Sequence, residues 1–525
     1  MLDRIENSRS TVIDAIVIFS LAVFCRITIE SLTDGYTHQL PLDPYRFLHY
    51  FSSFTSIALS IIIISVVGIN RNVVQAAKLI LPSFFIILLP PFLDLTVFAS
   101  MAPEYSYILT FSGAELWDRY LTFFGPVERV GITPGMRIEI GIASIAIGGY
   151  CWLRTQSLLR AFIVAWLTYT FIFVHMGLLF FILKFSQLIG VSANFSEHLL
   201  FMVYMVMIAV QFTILAWLSN RYYFKAIIYD SRFLRLAHFE LLMILGYVFA
   251  PKSEIDPIYP FPLVLAFIAI WLAWLHAVMV NNYHDIELDR INSPERPLVK
   301  DSISIPDYLK ISRLIIFSCL AFAFASGFSS LIFICIFLMI YQVYSSPPLR
   351  AKRWPFISKL FISINCLATF MIGFHLGGGQ FWHCSPLFLL LFLFVFFLGT
   401  QFIDLKDEAG DRAAGINTIA TIFGLRKAQY INGIGFALFF IGISIILSFD
   451  SWLGLSYLAA AGLFLYFFTR QPYKESKVFV VYIGVLIGLV IYAINPPKGQ
   501  LGPSAWMEIQ SQWRDSVFVS EFKED

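Results

Sequence analysis

About fifteen stretches of this chain are apolar over the length of a bilayer crossing, and that pattern restricts the fold more than any motif does. A spanning helix needs about 20 mostly apolar residues, because lipid offers no partner to the backbone polar groups. Six candidates come first, at 11–30, 49–68, 79–99, 139–153, 159–183 and 197–218. Nine follow, at 234–250, 261–281, 308–326, 328–344, 357–377, 385–403, 428–448, 452–469 and 476–494. Only 13% of the residues are charged and 58% are hydrophobic, with a mean hydropathy of +0.77. Soluble domains carry roughly 25% charged residues, so lipid must be the solvent and the expected class is an all-α integral membrane protein. The polar, basic stretch Ser219 to Arg235 separates the two groups. The expected organisation is therefore residues 1–218, residues 219–495 and a polar tail, 496–525.

Loop charges orient the second group. Arg290, Arg296 and Lys300 lie on one side with Arg350, Lys352, Arg353, Lys406, Arg412, Arg426, Lys427, Arg470, Lys474 and Lys477. The opposite loops, PKSEIDPIYP, ASGFSS, GGGQFWHCSP and SFDSWLG, contain Lys252 as their one base. The positive-inside rule places the basic side in the cytoplasm. Six spans before the boundary put the N-terminus on that side too. The long segment 100–138 carries Arg119, Arg129 and Arg137, but long translocated loops escape the rule. The opening, MLDRIENSRS, is too polar and too acidic for a cleaved signal or a transit peptide, so a bacterial or archaeal cytoplasmic membrane is expected. A net charge of +2 without a basic run gives no reason to expect nucleic acid.

Two helix ends on the basic side are dense in acid. In NNYHDIELDR, Asn281, Asp285 and Asp289 are four apart and share one helical face. In DLKDEAGDR, Asp404, Asp407 and Asp411 stand at i, i+3 and i+7, again one face. Like charges so spaced repel, and a bridging cation removes the repulsion. Ordinary solvated helix ends would explain one such cluster; two on one side are harder to explain that way. The candidate ligands Asn281, Asp285, Asp289, Asp404, Asp407 and Asp411 are all oxygen donors, which favours magnesium over zinc or copper. Carboxylate-held magnesium completes its shell with water and substrate phosphates. Arg296, Arg350, Lys352 and Arg353 are placed to clamp a diphosphate.

NNYHDIELDRINSPERPLVK resembles the first aspartate-rich motif of the UbiA superfamily of membrane prenyltransferases. DLKDEAGDRAAGINTIATIFG resembles the second, and YSSPPLRAKR resembles the loop between them. The resemblance covers about 230–495. It implies a nine-helix bundle, here preceded by about six further helices, around a cavity open to lipid. It also implies magnesium-dependent transfer of a prenyl group from an isoprenyl diphosphate to a lipophilic acceptor. On this mapping Asp285, Asp289, Asp404, Asp407 and Asp411 are the catalytic and metal-binding acids. Asn281, Asn282, Arg296, Tyr344, Arg350 and Lys352 face the diphosphate. Asn282 departs from the family, which often has aspartate there; it points about 100° from the shared face and reaches the metal only if the helix ends or bends. Two alternatives stay open: a cyclase that closes the prenyl chain on itself, and a carrier that binds the diphosphate without cleaving it.

The rest is weaker. Asp94, after Pro90-Pro91, is an acid within an apolar run, either functional or interfacial. Arg26 and Glu30 read as an i, i+4 pair and His175 as a packed polar residue. His284 faces only the loop. The six cysteines form no CxxC pair and read as small hydrophobes. Asn194-Phe-Ser fits a glycosylation acceptor, relevant only in a secretory pathway.

Overall fold

The computed structural model describes residues 10–33, 44–98, 108, 112–125, 132–188, 196–251, 260–413, 415–446 and 452–495. Asn194, the loop around Lys252 and the tail 496–525 lie outside them. The described residues are helical with no strand, and they fall into two compact units that divide between Arg221 and Tyr222. Fourteen described helices are long and apolar enough to cross a membrane, six in the first unit and eight in the second. The protein is a multi-pass membrane protein.

The first unit contains α1 (Val12–Thr33), α2 (Pro44–Ile69), α3 (Val73–Ser83), α4 (Leu89–Thr96), α5 (Gly113–Leu121), α6 (Pro134–Thr155), α7 (Leu158–Met176), α8 (Leu178–Leu188) and α9 (Glu197–Ser219). Two expected spans have different bounds. The one at 79–99 begins earlier, with α3, and reaches α4 through a 3₁₀ turn at Phe84–Leu88, where Pro82, Pro90 and Pro91 remove backbone donors. The one at 159–183 ends at Met176, because Gly177 caps α7 and the chain restarts as α8.

Several buried polar groups in this unit find partners within it. Asp94 is 2% exposed and holds the N-terminus of α6, accepting from the Thr133 hydroxyl at 2.5 Å and the Gly135 N–H at 2.8 Å. Thr133 in turn caps α6 through the Met136 N–H. Asp94 is thus a helix anchor. His175 Nε2 meets Ser56 Oγ at 2.8 Å, and Gln211 donates to Ser56 and Ser60. Arg26 pairs with Glu30 and donates to the Ile87 carbonyl at 2.6 Å.

The second unit contains α10 (Arg221–Tyr229), α11 (Phe233–Phe249), α12 (Pro260–His284), α13 (Ile286–Asn292), α14 (Ile305–Ser326), α15 (Phe328–Ser345), α16 (Pro355–Leu376), α17 (Pro386–Gly399), α18 (Glu408–Ala413), α19 (Ile419–Phe423), α20 (Leu425–Ile446), α21 (Trp452–Thr469) and α22 (Glu475–Ile494). Counting the 17-residue α11 with the eight longer spans gives the nine expected crossings. Serine caps with proline in the first turn start α14 (Ser304, Pro306) and α17 (Ser385, Pro386). Helices α11 and α16 cross in backbone contact at Gly246 and Gly373, where a Cβ on either would collide with the other helix's carbonyl. That crossing holds His238 of α11 against Cys366 of α16.

Candidate active site

The first acidic motif straddles a break. Helix α12 ends at His284 and α13 starts at Ile286, with Asp285 between them at φ −113°, ψ 14°. The register survives it. The N–H groups of Asp285 and Asp289 bond to the carbonyls of Asn281 and Asp285, at 3.0 and 2.8 Å. Asn281, Asp285 and Asp289 therefore keep a common face, and all three line one cavity.

The second motif is not one α-helix. A 3₁₀ turn, Thr400–Leu405, carries Asp404, and α18 carries Asp411. Backbone bonds from Asp407 N–H to Asp404 O (3.2 Å) and from Asp411 N–H to Asp407 O (2.9 Å) keep the three acids in sequence along the same cavity. The tighter winding opens the chain between Leu405 and Glu408, so the i, i+3, i+7 spacing works here without a continuous helix.

Asn292 ties the motifs together. Its Oδ1 accepts from Gly410 N–H at 3.0 Å, and a Cβ on Gly410 would strike its side chain.

The bases arrive from the connecting loop and from α16. After the cis Pro347-Pro348 peptide, Arg350 takes a left-handed conformation (φ 44°). It pairs with Asp285 and donates to the His284 carbonyl at 3.2 Å. Lys352 pairs with Asp285 and reaches Asn281 Oδ1 at 3.3 Å. Arg296 pairs with Asp289. Buried Lys359 meets Asp404 Oδ1 at 2.6 Å. Tyr344 lines the cavity, whereas Arg353 is exposed and pairs with none of these acids.

Asn282 is not at the cavity. It is 1% exposed, its Oδ1 accepts from Arg232 at 2.7 Å, and its Nδ2 donates to the Tyr308 hydroxyl at 3.2 Å. Tyr308 in turn donates to Asp230 at 2.6 Å. The break in the helix falls three residues too late to swing Asn282 round. The amide serves this network, where an aspartate would add a second carboxylate to that of Asp230.

Electrostatics separate the acids. Burial pushes the Asp289 carboxyl up to about 6 against the pull of Arg296. Burial, with Asp404 and Asp407 adding to it, pushes Asp411 up to about 7. Burial also raises Asp407. Neither Asp407 nor Asp411 has an ion pair among the described residues, and no three acidic, histidine or cysteine side chains there gather closely enough to hold a metal by themselves. Burial lowers Lys352, opposed by Asp285.

The cavity measures about 730 Å³. Its mouth is charged, and its deeper wall is aromatic and aliphatic, including Phe239, Phe392, Phe396, Phe436 and Phe479. Sequence reasoning missed Lys359, Arg232, Arg235 and Asn292. Asn292 was visible in the Asn-x-Pro tail of the first motif; Lys359, isolated in an apolar run, was a weaker sign of the same kind.

Residues 241–492 match the UbiA prenyltransferase family. Digeranylgeranylglyceryl phosphate synthase of Sulfurisphaera tokodaii is 29% identical over 38% of this chain and 73% of its own length. The chloroplastic 2-acyl-4-prenylphloroglucinol 6-prenyltransferase of Humulus lupulus is 29% identical over 33% of this chain, which spans 44% of that relative. The solved UbiA homologue from Archaeoglobus fulgidus bound to GPP and Mg²⁺ aligns with 51% of this chain and 96% of its own, at 17% identity and a TM-score of 0.41.

Proposed function

We propose that this chain, whose residues 241–492 belong to the UbiA prenyltransferase family, transfers a prenyl group from an isoprenyl diphosphate to a lipophilic acceptor within the membrane. The observation that carries the reading is one cavity with a charged mouth and an apolar depth. Five aspartates and the bases Arg232, Arg235, Arg296 and Lys352 line the charged part, and aromatic and aliphatic side chains line the rest of the roughly 730 Å³ cavity. A carrier needs such a mouth as well. The transferase reading is favoured by the relatives, several of which are named as prenyltransferases.

The donor set fits magnesium. That ion keeps several waters and takes one or two carboxylates plus substrate phosphates, so a site whose acids do not converge on each other suits it. Asp407 and Asp411, without ion pairs, would hold it from one side, with Asp285, Asp289, Asp404 and Asn281 completing the ring. When bound, the metal supplies neutralisation of the diphosphate's charge. Arg350, Lys352 and Arg296 are bound to carboxylates in this structure and stand ready to turn to phosphate oxygens. Tyr344 and the aromatic wall exclude water and face the cationic allylic carbon with their π-systems. The positive-inside pattern puts the mouth on the cytoplasmic side of a cell membrane. Residues 219–495 are the reacting part, and residues 1–218 stand outside the chemistry.

The test is the full chain in liposomes with tritiated geranylgeranyl diphosphate and a native lipid extract. Magnesium-dependent pyrophosphate release with label in acceptor lipid is expected. Binding without pyrophosphate release would make the protein a carrier, and labelled hydrocarbon without acceptor would make it a cyclase.

A further inference from the structure

Transfer to a hydroxylated or aromatic acceptor leaves one proton to remove, and the acids at the mouth are committed to metal and bases. Deeper in the same cavity is a polar pair that the diphosphate does not need. Tyr482 of α22 lines the cavity, and its hydroxyl lies 2.8 Å from Nδ1 of His238 on α11. His238 also lines the cavity and is 8% exposed, and its Nε2 lies 3.1 Å from the Cys366 sulfur. No other histidine lines this cavity among the described residues. An imidazole and a phenol packed against Phe239, Phe396 and Phe479 are expensive to bury without a partner or a purpose. The Gly246–Gly373 crossing holds α11 and α16 together, so His238 and Cys366 keep their contact.

The depth is right for the reacting centre. Arg235, three residues before His238, lines the mouth and bonds Glu475 at 2.5 Å; Glu475 is seven residues before Tyr482. Helical rise therefore places the pair about 5–10 Å below that ion pair. The allylic carbon, one bond from the diphosphate, sits just inside the mouth, and the acceptor nucleophile beside it.

We propose that Tyr482, backed by His238, takes the proton that the acceptor loses. This rests on the transferase reading above. In the tautomer whose Nε2–H faces Cys366, Nδ1 accepts from the Tyr482 hydroxyl. As the bond from the allylic carbon to the diphosphate oxygen breaks, its electron pair leaves with the diphosphate. The acceptor's oxygen or ring carbon forms the new bond to that carbon. The acceptor's proton passes to Tyr482 Oη, and the Tyr482 proton passes to His238 Nδ1. Tyr482 touches the acceptor and is the catalytic group; His238 acts through it and is a positioning and proton-holding residue.

The experiment compares wild type, Tyr482→Phe, His238→Gln and the double variant as full chains in liposomes, with tritiated geranylgeranyl diphosphate and the native lipid extract as acceptor source. Label transfer and magnesium-dependent binding of the diphosphate are both measured. Tyr482→Phe is expected to lower kcat for transfer by about 10²–10⁴-fold, the range of general acid–base catalysis. KM and binding of the diphosphate should stay within about twofold by the same argument, since the pair does not touch it. His238→Gln should lose a comparable factor, and the double variant no more than the worse single, because the two act as one unit. Transfer within threefold of wild type in either single variant that still binds the diphosphate overturns the proposal. So does a parallel loss of transfer and binding in both, which would make the pair a structural prop. A wild type that binds the diphosphate and transfers nothing would instead fail the transferase reading.

Discussion

Each unit buries charged and polar groups inside apolar helices, and the groups described above differ between the two in what they meet. In the first unit every such group discussed above closes on a partner. Asp94 caps α6, His175 joins Ser56 and Gln211, and Arg26 holds Glu30. In the second unit, Asp407 and Asp411 are left without ion pairs beside a large cavity, and burial raises both. An acid with its hydrogen bonds satisfied stabilises a fold, whereas a buried acid held open beside a cavity is kept for a ligand. Asn282 and Asn281 repeat the contrast between adjacent residues. The first is locked to Arg232 and Tyr308, while the second lines the cavity.

Removing the metal should produce the largest effect. EDTA should abolish pyrophosphate release and Mg²⁺ should restore it, whereas rescue by Zn²⁺ alone would show that the open acids were misread. Next, Lys359→Met leaves Asp404 without its buried partner. Breaking such a pair costs about 3–5 kcal/mol, so both the thermal midpoint and transfer should drop; unchanged midpoint and turnover would mean the pair is idle. Asp94→Ala should behave as a purely structural change. It strands the Thr133 hydroxyl and the Gly135 N–H at a cost of about 1–3 kcal/mol, seen as a lower thermal midpoint with unaltered kcat. A kcat loss with unaltered midpoint would erase the distinction between the units. The smallest effect on the reaction should come from Asn282→Asp. Its carboxylate would face Asp230 through Tyr308, so stability should fall while half-saturating Mg²⁺ stays within about twofold, because the side chain is outside the cavity. A large shift in that titration would return Asn282 to the metal site.

Much of this was legible in the sequence. The apolar runs gave the helices, since twenty residues without charge have few alternatives in water or lipid. Asp285, Asp289, Asp404, Asp407 and Asp411 were legible as neighbours along one cavity because their spacing survives both a break at Asp285 and a 3₁₀ turn at Asp404. The pairing of these acids with particular bases was not legible. Lys359 reaches Asp404 and Arg232 reaches Asn282 through packing between helices distant in sequence, and no local periodicity encodes that. Asn282 was misjudged for the same reason: its neighbour is known to face the cavity by helical phase, but its own partners, Arg232 and Tyr308, are set by tertiary contact. Asp94 was undecidable from sequence because a cap forty residues away has no local signature.

The central claim is that the two acidic motifs form one diphosphate site. The direct measurement is pyrophosphate release by the full chain carrying Asp285→Ala, Asp404→Ala, or both. Each single change should abolish release to the limit of detection, roughly 10³-fold or more, and the double variant should be no worse than either, as groups acting in concert are non-additive. Near-wild-type release in both single variants, or losses that simply multiply, would contradict it.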